Sequence, residues 1–343
     1  MSKLRVASIA AGVALLVAGG ATAALAADNP YTRSATGVVF YPNPVTTLGN
    51  QNLDDAKDAD LAVFGPAYKQ VVLTRLDGSG GLTGQFVVVK SSTGKAAQAT
   101  NGAFPAFHRD SDEFEQIMGY YWVNTAQDYL QSLGFGSRLR PVNKRQIELR
   151  IDQFGGDNSF FRDDKANITL GKGGVDDAED AEVIIHEYGH SVQDGQVAGF
   201  GTTLESGAIG EGFGDYFAVS VTSWATGVPT LTPEACVADW DSVSYTSTVP
   251  HCLRRLDGTK HYPADVVGEV HADGEIWSRA LWDIRTALGD TVANRIIIDA
   301  QFGFAVDTTF AAAASTTVDT ARRLYGKSAA NTVRAAFAAR GIL

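Results

Sequence analysis

The sequence contains little cysteine and little positive charge. It has two cysteines among 343 residues, and its 28 lysines and arginines are outnumbered by 39 aspartates and glutamates, which gives a formal net charge of −11. This acidic balance argues against nucleic acid as a partner, because surfaces that bind nucleic acid are rich in lysine and arginine. Beyond the N-terminal region, no run of about 18 apolar residues occurs, so we predict no membrane span.

The N-terminus has the pattern of a secretory signal peptide. Two basic residues among the first five precede an apolar run from Val6 to Ala18, and small residues follow as far as Ala26. This order of segments predicts a signal peptide over residues 1–26 and a secreted, extracellular protein. The apolar run itself is too short for a membrane span.

The two cysteines, Cys236 and Cys252, lie close together in EACVADWDSVSYTSTVPHCLRR. In an exported chain, a pair at this spacing predicts one disulfide. A catalytic thiol is the alternative, and it is disfavoured because neighbouring thiols pair in an oxidising compartment.

Strand patterns dominate the first part of the chain and helix patterns the second. Residues 37–90 predict antiparallel strands and hairpins, and residues 110–136 predict a long buried helix. Further predicted elements are strands over RQIELRIDQF and NITLG, and helices around HEYGH, over ESGAIGEGFGDYFAVSVTSWA, over ADGEIWSRALWDIRTALG and from Thr308 to Arg340.

These elements predict an α+β fold of two lobes with a cleft between them. The β-rich N-terminal lobe covers residues 27–200 and ends in the helix around HEYGH, which lies between the lobes. Residues 201–343 form the mainly helical C-terminal lobe. We expect a monomer.

The motif HEYGH, from His186 to His190, predicts a metal site. Residues four apart lie on one face of a helix, so both imidazoles can reach a single ion. Catalytic Zn²⁺ takes three protein ligands and a water. Glu187, next to the first histidine, can accept the proton of that water. The alternative is a pair of histidines on a solvated helix face.

A second segment, ESGAIGEGFGDYFA, supplies further candidates. Glu211 and Asp215 are four residues apart on a predicted helix, surrounded by glycine and apolar residues that indicate burial. A buried carboxylate needs a partner. Zinc for Glu211 and the His186 ring for Asp215 are such partners. Solvated acidic residues on a helix surface are the alternative.

HEYGH and ESGAIGEGFGDYFA resemble the zinc helix and the glutamate-bearing helix of the thermolysin-like metallopeptidases. The wording around the cysteines and EVHADGEIW is similar to the fungalysin branch of that group. The resemblance spans most of residues 114–282. It implies a thermolysin-like fold, one catalytic Zn²⁺ and peptide or protein substrates.

The resemblance also implies roles for other residues. His271, in EVHADGEIW, matches a histidine that stabilises the oxyanion or donates a proton there. Asn158 matches an asparagine that binds the substrate backbone, and NITLG resembles the edge strand on which the peptide lies. Arg254 matches an arginine that contacts a substrate carbonyl, and Arg255 is its rival for that role.

The sequence departs from the family pattern in three places. The family's oxyanion tyrosine would fall near Thr202, but no tyrosine occurs between Tyr188 and Tyr216. The acidic cluster of the paired calcium sites is missing around Thr222, so Ca²⁺ is possible but has no recognisable site. Between Ala27 and the β-rich region we expect no room for the large propeptide of the family.

The predicted function is therefore that of a secreted zinc endopeptidase with Glu187 as the general base. An exported zinc protein with weak or no activity is the first alternative, supported by the missing tyrosine. An aminopeptidase with the same zinc chemistry is the second, although no motif for capturing a substrate amino terminus is recognisable.

Overall fold

The computed structural model describes residues 29–343, so the predicted signal peptide over residues 1–26 lies outside the described part. The strands are β1 Arg33–Phe40, β2 Tyr68–Leu76, β3 Val87–Ser91, β4 Ile147–Ile151, β5 Phe160–Arg162, β6 Asn167–Thr169, β7 Cys236–Val237 and β8 Arg254–Arg255. The α-helices are α1 Pro44–Leu48, α2 Asp112–Ser132, α3 Ala181–Gln196, α4 Leu204–Thr226, α5 Val270–Leu288, α6 Asp290–Ala300 and α7 Phe310–Ala339. None of the helices in this range combines the length and the apolar character that a membrane crossing requires.

The strands form a mixed sheet and two small antiparallel pairs. The mixed sheet has the order β3-β4-β6-β5, in which only β5 runs antiparallel to its neighbour. The remaining strands pair as β1 with β2 and β7 with β8. The antiparallel pairing predicted for residues 37–90 is present between β1 and β2 and in a bridge between Thr83 and Val88, but the parallel pairing of β3 was not predicted. Strand β3 pairs in parallel with β4, and α2 supplies the long crossover that parallel neighbours require.

Helix α2 is the long buried helix predicted from the sequence. Its apolar face packs in the core with complete burial of Phe114, Ile117 and Trp122. At Gly119 the helix approaches the sheet closely, since a Cβ there would lie 2.4 Å from a methyl carbon of Leu149 on β4. A larger residue would push α2 off the sheet.

The second half of the described chain is helical, as predicted. Helix α4 packs between α3 and α5, and α6 and α7 cover α5. Helix α7 contains a break at Gly326, where φ is +82°. Helix α6 was not among the predicted elements, although its isoleucines at positions 296, 297 and 298 are buried.

The α+β fold class is confirmed by this arrangement of sheets and helices. Residues 31–343 cluster as one unit, and the division into lobes at residue 200 stays a prediction. Helix α3, with HEYGH, lies against β5 and β6 on one side and α4 on the other.

Candidate metal centre

The start of helix α3 is fixed by Asp180. Its side chain accepts a hydrogen bond from the backbone N–H of Glu182 at 2.9 Å, which caps the helix. The same carboxylate accepts from the backbone N–H groups of Trp240 at 3.1 Å and Asp241 at 3.2 Å. One residue therefore positions both the motif helix and the segment that follows β7.

Three of the predicted site residues converge on one point. His186 Nε2 lies 3.2 Å from His190 Nε2 and 3.2 Å from Glu211 Oε2, and His190 Nε2 lies 3.6 Å from Glu211 Oε1. Their side chains are 9%, 20% and 15% exposed, so the three atoms face a partly accessible space.

These separations fit a zinc ion. With zinc–ligand bonds of about 2.0 to 2.1 Å, neighbouring donor atoms of a tetrahedral site lie about 3.3 Å apart. Two imidazole nitrogens and one carboxylate oxygen are also a donor set typical of catalytic zinc sites. His186, His190 and Glu211 therefore have both the chemistry and the spacing to hold Zn²⁺.

The fourth residue, Asp215, holds the first histidine from behind. Its Oδ1 lies 2.9 Å from His186 Nδ1, which leaves Nε2 directed at the centre. Helix α4 can approach this closely because residue 214 is glycine: a Cβ there would lie 2.8 Å from the His186 ring. Asp215 also forms two hydrogen bonds with Arg254, from Nε at 2.6 Å and from Nη2 at 2.7 Å.

The buried charges favour a cation at the centre. Burial alone would lower the pKa of His186, but hydrogen bonds to Asp215 and Glu211 raise it to about 10. Burial lowers the pKa of His190 to about 4. Burial alone would raise the pKa of Glu211, but the two imidazoles bring it down to about 2. For Asp215, Arg254 and His186 likewise outweigh burial and hold the pKa well below its usual range.

Glu187 lies at the centre without a bound partner. Its side chain is buried, and Oε2 has no hydrogen-bond partner among residues 29–343. Burial raises the pKa of this carboxyl to about 8. Glu187 lines both of the clefts that meet at the site.

His271 also reaches the centre. Its Nε2 lies 3.3 Å from Glu211 Oε2, and its ring is half exposed. Glu269, which the sequence analysis did not single out, lies 2.7 Å from His271 Nδ1 and caps α5 by accepting hydrogen bonds from the backbone N–H groups of His271 and Ala272. Its position at the helix start is the available signal, but glutamate is an uncommon capping residue.

Two clefts extend from the centre in different directions, and they share Asn158, Ser159, Glu187 and His271. The first cleft runs along α4 and β5, and the second runs toward the segment after β7. Asn158 is exposed and lies two residues before β5.

The prediction that NITLG is the edge strand is wrong, because β5 covers that edge by pairing antiparallel with β6. The edge that faces the first cleft is β5.

Arg254 and Arg255 have separate partners. Arg254 lines the second cleft, whereas Arg255 pairs with Asp257 at 2.6 Å. The predicted disulfide is present between Cys236 and Cys252. This disulfide closes the loop that contains Asp241 and joins its two ends at the strand pair β7–β8.

Two departures from the family pattern, the missing oxyanion tyrosine and the missing acidic cluster around Thr222, can be related to residues of the structure. The second cleft contains a tyrosine, Tyr245, whose hydroxyl donates a 2.5 Å hydrogen bond to Asp241. Thr222, in the neutral segment of α4, donates to Glu182, whose other oxygen accepts from the backbone of Ala238. Hydrogen bonds therefore satisfy Glu182, and Ca²⁺ stays a prediction without a recognisable site.

Residues 198–342 match the family described as the thermolysin metallopeptidase alpha-helical domain. Extracellular metalloproteinase 3 of Trichophyton tonsurans is 23% identical over 293 residues, which is 69% of this chain and 44% of the relative. Extracellular metalloproteinase 2 of Arthroderma otae is 24% identical over 209 residues, which is 51% of this chain and 32% of the relative. The chain thus spans less than half the length of these relatives.

The fold has a similar solved structure. The precursor of protealysin, a metalloproteinase from Serratia proteamaculans, superposes with a TM-score of 0.52 and 19% identity, covering 78% of this chain and 92% of that one. Together with the sequence matches, this confirms the resemblance to thermolysin-like and fungalysin-like metallopeptidases and the thermolysin-like fold.

Proposed function

Because the chain resembles the thermolysin-like and fungalysin-like metallopeptidases in both sequence and fold, we propose that it is a secreted zinc endopeptidase. The convergence of His186, His190 and Glu211 within 3.6 Å of one another, with Glu187 unpartnered beside them, carries this proposal. Export is supported by the signal-peptide pattern of residues 1–26.

The three converging side chains would hold the zinc ion. Zn²⁺, when bound, supplies a Lewis acid for a carbonyl oxygen and lowers the pKa of a water. Asp215 keeps His186 in the tautomer whose Nε2 carries the lone pair, because it accepts the proton of Nδ1. Arg254 in turn holds Asp215 in place.

Glu187 is the proposed general base. Glu187 lines both clefts and its Oε2 has no donor among the described residues, so the carboxylate can accept a proton from the attacking water and pass it to the leaving amine. His271 is the proposed oxyanion partner. Glu269 accepts a hydrogen bond from Nδ1 and thereby orients the ring of His271.

Cleavage inside a peptide, rather than at its amino terminus, is favoured by the two clefts. They extend from Glu187 and His271 in different directions, so a chain has room on both sides of the reacting bond. Asn158 and the edge strand β5 lie along the first cleft and would bind the substrate backbone by strand addition. Arg254 makes two hydrogen bonds to Asp215 and also lines the second cleft. It can therefore contact a substrate carbonyl as well.

The proposal is tested with an internally quenched peptide whose amino terminus is blocked. Zinc-loaded protein should cleave it internally, a chelator should abolish the cleavage, and added zinc should restore it. His190→Ala should lose activity and bound zinc, whereas His261→Ala, at an exposed histidine, should retain both. Folded, zinc-loaded protein that cleaves no peptide would contradict the proposal, and cleavage only of peptides with a free amino terminus would indicate an aminopeptidase.

A further inference from the structure

The second cleft joins the metal centre to an acidic wall. It has a volume of about 440 Å³, and His186, Glu187, Arg254 and His271 lie at the end near the centre. Three aspartates lie elsewhere on its lining: Asp157, Asp177 and Asp241. We refer to these three residues as the acidic wall.

The carboxylates of the acidic wall lie close together. One oxygen of each residue lies within 4.8 Å of an oxygen of the other two. Asp177 is only 2% exposed and Asp241 only 4% exposed, yet Oδ1 of each has no hydrogen-bond partner among the described residues. A buried carboxylate oxygen without a donor or a cation is costly. The acidic wall therefore contains two buried acceptor oxygens that receive no hydrogen bond from the described residues.

Arg254, which lines this cleft, has another partner, because it pairs with Asp215. Burial, supported by the charge of Asp157 and opposed by the hydrogen bond from Ser159, raises the pKa of Asp177 to about 7. Burial, followed by the charge of Asp177, raises the pKa of Asp241 well above its usual range. Neither carboxylate forms an ion pair with a basic side chain within residues 29–343.

The wall is rigidly placed. Ser159 Oγ donates to Asp177 Oδ2, and Tyr245 donates to Asp241 Oδ2, so one oxygen of each carboxylate is fixed and the other is free. Asp180, the cap of α3, binds the backbone N–H of Asp241. The backbone of Asp241 is thus held by the same residue that caps the metal-binding helix.

Apolar residues form another part of the cleft lining. They include Val183, Val237, Ala238 and Leu253. A long side chain that enters from the metal centre would pass these residues with its methylene groups and reach the carboxylates with its tip. Lysine and arginine have this combination of an apolar stem and a charged head.

We propose that the acidic wall is a specificity site that binds a lysine or arginine side chain of the substrate next to the scissile bond. This inference rests on the proposed peptidase function, because the second cleft can select substrates only if peptide cleavage takes place at Glu187. An apolar side chain would reach the same cleft but leave the buried carboxylate oxygens without a partner. The site would therefore discriminate against it.

The test uses blocked, internally quenched peptides that differ only beside the cleaved bond. Peptides with lysine, arginine, leucine or glutamate on either side of that bond are compared, and mass spectrometry fixes the cleavage position. For the zinc-loaded protein, we expect kcat/KM to be about 10- to 100-fold higher for lysine or arginine than for leucine at one of the two positions. Glutamate there should give the slowest cleavage.

Variants of the wall test its role directly. Asp177→Asn and Asp241→Asn, alone and combined, should lower kcat/KM for the basic peptides by about tenfold or more and leave that for the leucine peptide within about threefold. Activity on the leucine peptide also shows that each variant is folded and loaded with zinc. Asp319→Asn removes an exposed carboxylate of α7 and should leave the preference unchanged.

Four outcomes would overturn the inference. Equal or faster cleavage of leucine peptides by the wild-type protein would overturn it while leaving the proposed function intact. An unchanged basic preference in the double variant would place the specificity elsewhere. Stabilisation of the wild type by Ca²⁺ that is lost in the variants, with no effect on side-chain preference, would identify a cation site instead. Failure of the zinc-loaded wild type to cleave any peptide overturns the peptidase function as well.

Discussion

Two groups of buried carboxylates lie around the proposed metal centre and its second cleft, and they differ in what neutralises them. Glu211 and Asp215 are paired with His186 and Arg254, and these partners keep their pKa values low. In the acidic wall, Asp177 and Asp241 have no basic partner in the described part of the chain, and burial raises their pKa values. The charges of the first group are neutralised by side chains of the protein and by the proposed zinc ion. The second needs a cation from outside, which the proposed substrate would supply.

The largest effect is expected at Glu187, beside the first group. Glu187→Gln keeps the size and burial of the side chain but removes its capacity to accept a proton. We expect zinc to be retained and turnover to fall by about 10²- to 10⁴-fold, the range of general acid–base catalysis. Metal analysis and kcat on the blocked peptide measure both. Substantial remaining activity with zinc bound would show that the base is another residue.

The next effect is expected from breaking the first group. Asp215→Ala removes the partner of His186 and leaves Arg254 unpaired, so zinc affinity should fall by about 10- to 100-fold. Zinc content after dialysis against a graded chelator measures this change. The matched control is Asp257→Ala, which breaks the more exposed pair with Arg255 and should leave zinc content unchanged. Equal zinc retention in the two variants would contradict the role of Asp215.

A smaller effect is expected at Glu269, which has two functions that can be separated. Glu269→Ser keeps a residue that caps α5 but removes the carboxylate from His271 Nδ1. We expect the melting temperature to change little and kcat to fall by about tenfold, with an altered pH profile, because a mispositioned proton donor loses part of its contribution. Glu269→Asp should restore part of the activity. A variant with wild-type kcat and pH profile would remove Glu269 from the site.

The smallest effect concerns the stability of the second group. The pKa of Asp177 is about 7 in the folded protein, against about 3.9 in an unfolded chain. This raised pKa makes a contribution to stability that is present below the unfolded value and is lost as the pH rises toward 7. Asp177→Asn lacks that loss, so its melting temperature relative to the wild type should be about 2 to 5 °C higher at pH 8 than at pH 4. If the melting temperature of the variant relative to the wild type were the same at both pH values, this would mean that a cation already neutralises the acidic wall.

The same contrast explains how far the sequence could predict the site. His186, His190, Glu211 and Asp215 could be assigned because each pair is four residues apart on a helix, a spacing that fixes a common face. The partner of Asp215 on the other side, Arg254, was assigned only as a substrate contact, because nothing in the sequence places it beside that carboxylate. Regular helices therefore made the first group predictable.

The acidic wall could not be predicted in this way. Asp157 precedes β5, Asp177 lies in a short 3₁₀ turn before α3, and Asp241 follows β7. They meet because Asp180 binds the backbone of Asp241 across 61 positions of sequence. The parallel pairing of β3 and the edge position of β5 were missed for the same reason, since strand order depends on contacts between distant segments.

The central claim is that His186, His190 and Glu211 bind one zinc ion. Its most direct test is a crystal structure of zinc-loaded protein with anomalous diffraction measured on both sides of the zinc absorption edge. We predict a single strong anomalous peak about 2.0 to 2.2 Å from the Nε2 atoms of both histidines and from a carboxylate oxygen of Glu211. A peak at the acidic wall instead, or a Glu211 side chain directed away from the histidines, would contradict the account.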